Sequence, residues 1–164
     1  MTTNTKGYFQ SVEAIGADGR HRLDFQFNPT TISEKRGSAF NFSEAQGQWL
    51  PLAQFGRFEP IELSFTLFLF SHKGLTEQIK SLRRLNSPRR LDDLTYYEQT
   101  APFIYQLNLS GLGVYVGVVQ SVNITYKQYS KTTMTPIHAE AEVVFRAVSQ
   151  SVEADVQFYK ATTR

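Results

Sequence analysis

Apolar and polar residues alternate along much of this chain, which is the pattern of β-strands with one buried face. The clearest set is Ile61, Leu63, Phe65, Leu67 and Leu69, opposed by Glu62, Ser64 and Thr66. A longer set occupies the even positions Val114, Val116, Val118, Gln120, Val122, Ile124 and Tyr126, whereas the odd positions are mostly small or polar. It predicts a strand of ~13 residues, long enough to bend into a barrel wall.

The same period recurs in further segments of the chain. A third set is Ile137, Ala139, Ala141, Val143, Phe145 and Ala147, opposed by His138, Glu140, Glu142 and Arg146. Shorter sets are Leu23, Phe25 and Phe27, and Phe103, Tyr105, Leu107 and Leu109. Residues 7–15 and 152–160 predict weaker strands, so we expect about seven strands in all.

One segment has a helical period, with Leu75, Ile79, Leu82 and Leu85 at steps of four, three and three before Pro88. This spacing predicts one short helix. No internal repeat and no linker rich in Pro, Gly or Ser divides the sequence, so we expect residues 1–164 to form a single domain. The predicted fold class is mainly β, an antiparallel β-barrel or sandwich with one short flanking α-helix.

Residues 43–60 follow neither period and predict a long loop. This segment nevertheless carries large apolar side chains: Trp49, Leu50, Leu52, Phe55 and Phe58. Long loops are uncommon in compact domains, and one that exposes large apolar side chains usually has a partner that buries them. We therefore predict that these five residues form an interface. The alternative is that the segment folds back over its own core.

Composition narrows the classes of function. The chain contains 13 Phe and 8 Tyr, which suit half-buried pleated surfaces, and no cysteine, which excludes disulfides, thiolate metal sites and cysteine nucleophiles. A formal charge of +2 gives little long-range attraction for nucleic acid or anionic lipid. No apolar run reaches about 18 residues, so we expect no membrane insertion.

No catalytic constellation is visible in the sequence. His21, His72 and His138 are far apart, and none has a second ligand at a zinc-protease spacing. Glu140 and Glu142 share one strand face, but they alternate with apolar residues, which indicates the polar face of a sheet rather than an acid–base pair. Phosphate-loop and dinucleotide fingerprints are also missing. We predict no catalytic residue, no metal, no cofactor and no enzymatic activity.

The most basic stretch holds Arg83, Arg84, Arg89 and Arg90 around the end of the predicted helix. Such a cluster could bind phosphate or a charged partner. The alternative is a solvated helix end, where the helix dipole favours cations and acidic residues follow directly along the chain.

Three blocks in order resemble the contractile injection system tube protein family, whose members adapt the spike or hub to the tube. The first is the strand from Phe25 to Ile32, in which Phe27, Asn28 and Pro29 form a motif whose proline turns the chain. The second is the strand 61–69. The third combines a Pro-led strand at 101–107, a strand with a central glycine at 115–122, and a return strand at 136–141. The resemblance spans residues 23–148, with 149–164 as a C-terminal strand or arm.

This resemblance implies a fold of the tail-tube type that assembles into a homohexameric ring around an axial channel. The implied partners are a baseplate hub or spike protein and the tail tube protein, with transient passage of nucleic acid through the channel. The implied location is a virion, as part of a phage tail baseplate, or an injection particle assembled in the host cytoplasm. The role would be mechanical and templating.

Two alternatives remain open from the residues. Within the same class, the chain could be the main tail tube protein itself. In a different class, it could be a glycan- or ligand-binding β-sandwich, for which Trp49, Phe55 and Phe58 would supply a stacking platform.

Overall fold

A computed structural model describes residues 6–13, 19–43, 47, 49–70, 74–87 and 102–151. Within these ranges the chain forms nine strands and one helix. The strands are β1 (Tyr8–Ser11), β2 (Arg22–Asp24), β3 (Ile32–Lys35), β4 (Ser38–Ser43), β5 (Leu52–Phe58), β6 (Ile61–Phe70), β7 (Tyr105–Leu109), β8 (Gly113–Tyr129) and β9 (Pro136–Ser151), and the helix is α1 (Leu75–Leu85). The predicted strand at 152–160 lies outside the described residues.

Seven of the strands form one antiparallel sheet in the order β2-β1-β7-β8-β9-β6-β3, and β4 pairs with β5 as a separate two-stranded ribbon. The prediction of a mainly antiparallel β fold with one helix is confirmed. The sheet is not closed as a barrel, because β2 and β3 each lack a second partner strand among the described residues.

The sheet instead curls so that its two halves face each other as a sandwich. Phe9 on β1 and Phe65 on β6 are separated by three strands in the sheet, yet their rings stack with centroids 6.2 Å apart. Near one end of the sandwich the Tyr115 hydroxyl donates to the Glu34 carboxylate on β3 at 3.2 Å. The core therefore lies between the halves, sealed by aromatic contacts that join distant strands.

The alternation predicted for three strands is confirmed by burial. The core side chains that these strands contribute are Leu63, Phe65, Leu67 and Leu69 from β6, Tyr105, Leu107 and Leu109 from β7, and Ala139, Ala141, Val143, Phe145 and Ala147 from β9. Helix α1 likewise buries all four of its predicted apolar residues and contacts the sheet through β2, β6, β8 and β9. The two-residue period of these strands and the helical period of α1 thus predict core residues that the structure shows to be buried.

The face predicted for the long strand β8 is wrong in its first half. Tyr115 and Val119 are buried there, whereas the even-numbered Val118 is exposed. Val119 pairs with Phe145 but Ser121 pairs with Val144, so Gln120 is an extra residue that forms a β-bulge. A bulge shifts the alternation by one position, so the even-numbered side chains turn inward only beyond it, from residue 122 onward.

Two other expectations also need correction. Phe27 does not continue the buried set of Leu23 and Phe25, because Gln26 turns inward and Phe27 is exposed. The Gln26 side chain accepts a hydrogen bond from the Phe70 amide at 2.8 Å and donates one to the Phe70 carbonyl at 3.3 Å, as a neighbouring strand would. Residues 43–60 are not a long loop, since most of their second half is β5.

Candidate assembly interface

The aromatic ribbon, residues Ser38–Phe58, carries seven large apolar side chains that are exposed: Phe40, Phe42, Trp49, Leu50, Leu52, Phe55 and Phe58. Its strands β4 and β5 pair only with each other among the described residues, and no other described element packs extensively against them. Phe40 lies opposite Phe55, but Ala39 lies opposite Arg57, so Gly56 is an extra, bulged residue. A Cβ at Gly56 would come within 3.0 Å of the Ala39 carbonyl oxygen, a close approach that suits glycine.

This bulge gathers four phenylalanines on one face of the ribbon. Phe40 and Phe42 are two residues apart on β4, and the extra residue lets Phe55 and Phe58 share their side. The rings of Phe55 and Phe58 have centroids 4.9 Å apart, and those of Phe40 and Phe55 are 5.6 Å apart. We call this set, Phe40, Phe42, Phe55 and Phe58, the phenylalanine face.

The phenylalanine face is open to solvent. Its four side chains are between 48% and 78% exposed. The connection between the strands adds Trp49, which is 97% exposed, and Leu50, which is also exposed. Large exposed apolar patches of this kind usually mark interaction sites, because apolar surface in contact with water raises the free energy and a bound partner removes that contact.

The structure places the five residues predicted for the interface in different parts of the ribbon. Phe55 and Phe58 lie on the phenylalanine face, Trp49 and Leu50 lie between the strands, and Leu52 lies on the opposite face. All five are exposed, which contradicts the alternative that this segment folds back over its own core. Their role in an interface stays a prediction.

Sequence reasoning missed Phe40 and Phe42. These two residues alternate with Asn41 and Ser43, and that short period was the available signal. They precede the segment 43–60, so they were not grouped with the phenylalanines that lie opposite or diagonal to them across the ribbon.

A charged cleft separates the ribbon's base from the outer surface of the sheet. The Glu59 amide donates to the Gly37 carbonyl at 2.9 Å, and this bond closes the base. The cleft has a volume of about 630 Å³, and Lys35, Arg57, Glu62 and Arg146 are among the residues that line it. Arg146 Nη2 lies 3.3 Å from Glu62 Oε2, so this wall of the cleft carries an ion pair.

The structure describes the first two arginines of the predicted basic patch, Arg83 and Arg84. The Arg83 guanidinium donates to the Tyr126 hydroxyl on β8 at 2.8 Å. Arg84 instead acts electrostatically on His21 and Tyr105. Both arginines are in the last turn of α1, where the helix dipole favours cations. Arg89 and Arg90 lie outside the described residues, so a phosphate- or partner-binding role for the four stays a prediction.

Comparison with known proteins decides the family. The family model described as "Contractile injection system tube protein" matches residues 8–155, which is most of the chain. This chain belongs to the contractile injection system tube protein family. The resemblance seen in the sequence is therefore confirmed, and it extends further towards both ends than the blocks that carried it.

Two solved structures are similar to this tube-family protein. One is the tail of an empty GTA particle computed with helical refinement and C6 symmetry, with 14% sequence identity and a TM-score of 0.40 over 87% of this chain and 92% of that chain. The other is the six-fold symmetrised cryo-EM structure of the anti-feeding prophage baseplate, with 10% identity and a TM-score of 0.41 over 92% and 96% of the two chains. A search of curated proteins found no match.

Two titratable groups of this tube protein, His21 and Tyr105, have pKa values that are shifted by their surroundings. His21 Nδ1 lies 3.2 Å from the Tyr105 hydroxyl, and burial together with Arg84 lowers the pKa of His21 below its ordinary value. Burial raises the pKa of Tyr105 to about 12, so this hydroxyl keeps its proton near neutral pH. Burial therefore favours the uncharged form of both groups.

The remaining candidates for chemistry are dispersed. His138 stacks on Phe70 with ring centroids 4.5 Å apart, and Glu140 pairs with Lys127 at 3.3 Å on the outer surface. In the part of the chain that the structure describes, no three His, Asp or Glu side chains are grouped to hold a metal ion. Over the same residues no helix is long and apolar enough to cross a membrane. His72 lies outside the described residues.

Proposed function

We propose that this chain is a structural baseplate component that forms a homohexameric ring and joins the hub or spike to the inner tail tube. The observation that carries the proposal is the aromatic ribbon, which presents an exposed phenylalanine face on a tube-family fold. A surface of this kind gains stability when another protein covers it. The proposed role therefore rests on assembly and involves no catalysis.

The energetic reason is the apolar area that the ribbon leaves in water. Burial of one phenylalanine side chain contributes roughly 1.5–3 kcal/mol, and four lie side by side on this face. Among the strands that the structure describes, the outer edges of β2 and β3 are unpaired, and they add backbone groups that a neighbouring strand can satisfy. Association of copies would thus stabilise both the side chains and the sheet edges.

The proposed mechanism is templating. One side of the ring matches the hub or spike, and the other side presents the first layer for the tail tube. The single domain 1–164 acts in a virion or injection particle that is assembled in the host cytoplasm, and nucleic acid passes through the ring's channel. Arg83, Arg84, Arg89 and Arg90 would contact phosphate or a charged partner.

The decisive experiment alters one face of the ribbon and compares it with the other. In the variant Phe40→Thr with Phe55→Thr, we expect assembly with the hub protein to fall at least tenfold, because two directly opposed aromatic side chains are lost. Native mass spectrometry of the chain with its hub measures the ring. Threonine keeps the strand propensity, so thermal unfolding of the monomer should change little.

The matched control is Asn41→Thr with Gln54→Thr, which replaces a directly opposed pair on the opposite ribbon face. We expect this control to assemble as the unmodified chain does. Equal ring formation by the phenylalanine variant and the control would contradict the proposed interface.

A glycan-binding role is the second candidate, and the nearly full exposure of Trp49 is the observation that favours it. Sugars need polar partners beside a stacking ring. The described residues on the phenylalanine face are apolar apart from Ser38, which favours a protein partner instead. Saturable glycan binding that is lost in Trp49→Ala, with the oligomer intact, would favour this second function.

A further inference from the structure

The outer surface of the sheet carries a second unpartnered apolar surface, which we call the valine patch: Val114, Val116, Val118 and Val148. The first three are two residues apart on β8, and Tyr115 and Val119 between and beyond them face the core. Val148 is 74% exposed on the neighbouring strand β9. Val118 is exposed, and Val114 and Val116 are half-buried.

Two irregularities in strand pairing create this patch. The bulge at Gln120 leaves the valines before it on the outer surface and returns the side chains after it to the core. On β9, Ala147 pairs with Gly117 and Ser149 pairs with Val116, so Val148 is an extra residue that stands out beside them. Both strands thus expose valine at the same position along the sheet.

A row of charged residues lies between this patch and the ribbon of the same chain. Val118, Arg146, Glu62 and Lys35 are successive partners across β8, β9, β6 and β3, and the ribbon leaves the sheet beside the last two. To reach its own valine patch, the phenylalanine face would have to cover this row. Removing these charges from water costs several kcal/mol per ion.

We propose that the phenylalanine face of one copy docks on the valine patch of a second copy. This inference rests on the proposed function, since it names the surface that receives the ribbon within the ring. The two surfaces match in chemistry: each presents four apolar side chains, and the charged residue that borders the valine patch, Arg146 opposite Val118, is already paired with Glu62. The Arg146–Glu62 pair lies at the edge of the patch with both side chains partly exposed, as the polar rim of an interface is.

The pairing fits the proposed ring. The phenylalanine face and the valine patch are different surfaces, so each copy offers one donor and one acceptor, and in a ring the contact between neighbours is heterologous. Such contacts continue from copy to copy and close into a ring when the rotation allows it. A two-fold dimer in which each ribbon covers the other copy's patch would satisfy the same surfaces, and native mass spectrometry distinguishes it from a ring by its mass.

The test uses the absence of cysteine from the native chain. Phe42→Cys and Val116→Cys are prepared as separate chains of different mass, mixed, assembled with the hub protein and oxidised. We expect a disulfide-linked heterodimer, because a thiol on the ribbon of one copy meets a thiol on the patch of another. The pair Phe58→Cys and Val118→Cys tests a second, independent alignment of the ribbon on the patch. A short bis-maleimide links the two thiols where they are too far apart for a disulfide.

Two control mixtures test the position of the contact. Asn41→Cys replaces the ribbon cysteine with one on the opposite face, and Glu142→Cys replaces the patch cysteine with one on the exposed outer surface of β9 away from the valines. We expect cross-linking in either control to be at least tenfold lower. Native mass spectrometry before oxidation confirms that each mixture forms the same oligomer.

The outcomes separate this inference from the proposed function. Rings that form without cross-linking in either register would overturn the docking and leave the ring role intact. A chain carrying both cysteines that cross-links only within itself would show that the ribbon covers its own patch, which overturns the inference. If the unmodified chain forms no ring with the hub, both proposals fail.

Discussion

Gly117 shows how one residue sets the distance between two strands. A Cβ at this position would overlap the Arg146 carbonyl oxygen and lie 2.7 Å from the Ala147 Cα. Both neighbours are backbone atoms of β9, which cannot rotate away as a side chain would. Glycine is therefore required where β8 and β9 approach each other beside the extra residue Val148.

We expect Gly117→Ala to lower the free energy of unfolding by about 3 kcal/mol, because a forced methyl group must push two paired strands apart. Urea denaturation followed by circular dichroism measures the change. Gly111→Ala is the matched control: a Cβ there meets nothing within 4 Å, so its stability should stay within about 0.5 kcal/mol of the unmodified chain. Equal stability of the two variants would disprove the close approach.

At the scale of elements, the bulge at Gln120 decides which side of β8 faces the core. Beyond it Val122, Ile124 and Tyr126 pack against the core as partly buried side chains. Without the extra residue, strict alternation would place these three even-numbered side chains on the opposite side of the strand from the buried, odd-numbered Val119. The four side chains could then not all face the core.

We expect deletion of Gln120 to abolish cooperative folding or to lower the unfolding free energy by more than about 4 kcal/mol, the range typical of severe core disruption. Thermal unfolding monitored by tyrosine fluorescence and circular dichroism provides the measurement. Gln120→Thr, which keeps the residue count at an exposed position, should change stability by less than about 0.5 kcal/mol. A deletion variant as stable as this control would rule out the proposed role of the bulge.

Sequence periodicity could predict the elements whose alternation has no interruption. Strands β6 and β7, helix α1 and strand β9 as far as Ala147 each bury one regularly spaced set of side chains, so their core residues follow from spacing alone. In β8 the residues from Val114 to Val119 are apolar at both even and odd positions, apart from Gly117. Alternation cannot choose a face in such a run, because only the pairing with β9 shows where the bulge lies.

The bulge in β5 interrupts its alternation, so spacing alone does not predict the ribbon. Phe55 and Phe58 are three residues apart, which matches neither a strand period nor a clear helix period. Their apolar character still indicated an exposed surface, and that part of the prediction agrees with the structure. Their alignment with Phe40 and Phe42 depends on cross-strand register, which a single chain's sequence does not specify.

At the scale of the whole molecule, a ring adaptor differs from a main tail tube protein in what the two faces of its ring fit. An adaptor has one ring face that fits the hub and one that fits the tube, so copies of it do not stack without limit. A main tube protein has two ring faces that fit each other and continues into a filament.

We therefore expect the purified chain to remain monomeric or to stop at single rings, and to form those rings more readily when the hub protein is present. Negative-stain electron microscopy and analytical ultracentrifugation over a range of concentrations measure the assemblies. Long tubes formed by the chain alone would identify it as the main tail tube protein instead.

The aromatic centre of the sandwich has a consequence for the synthesis of this protein. The ring of Phe9 contacts Phe25, Phe65, Tyr105 and Phe145, which come from nearly the whole length of the chain. The ribosome makes Phe9 well before it makes Phe145. The centre cannot close until Phe145 has left the exit tunnel, and contacts so distant in sequence make folding slow.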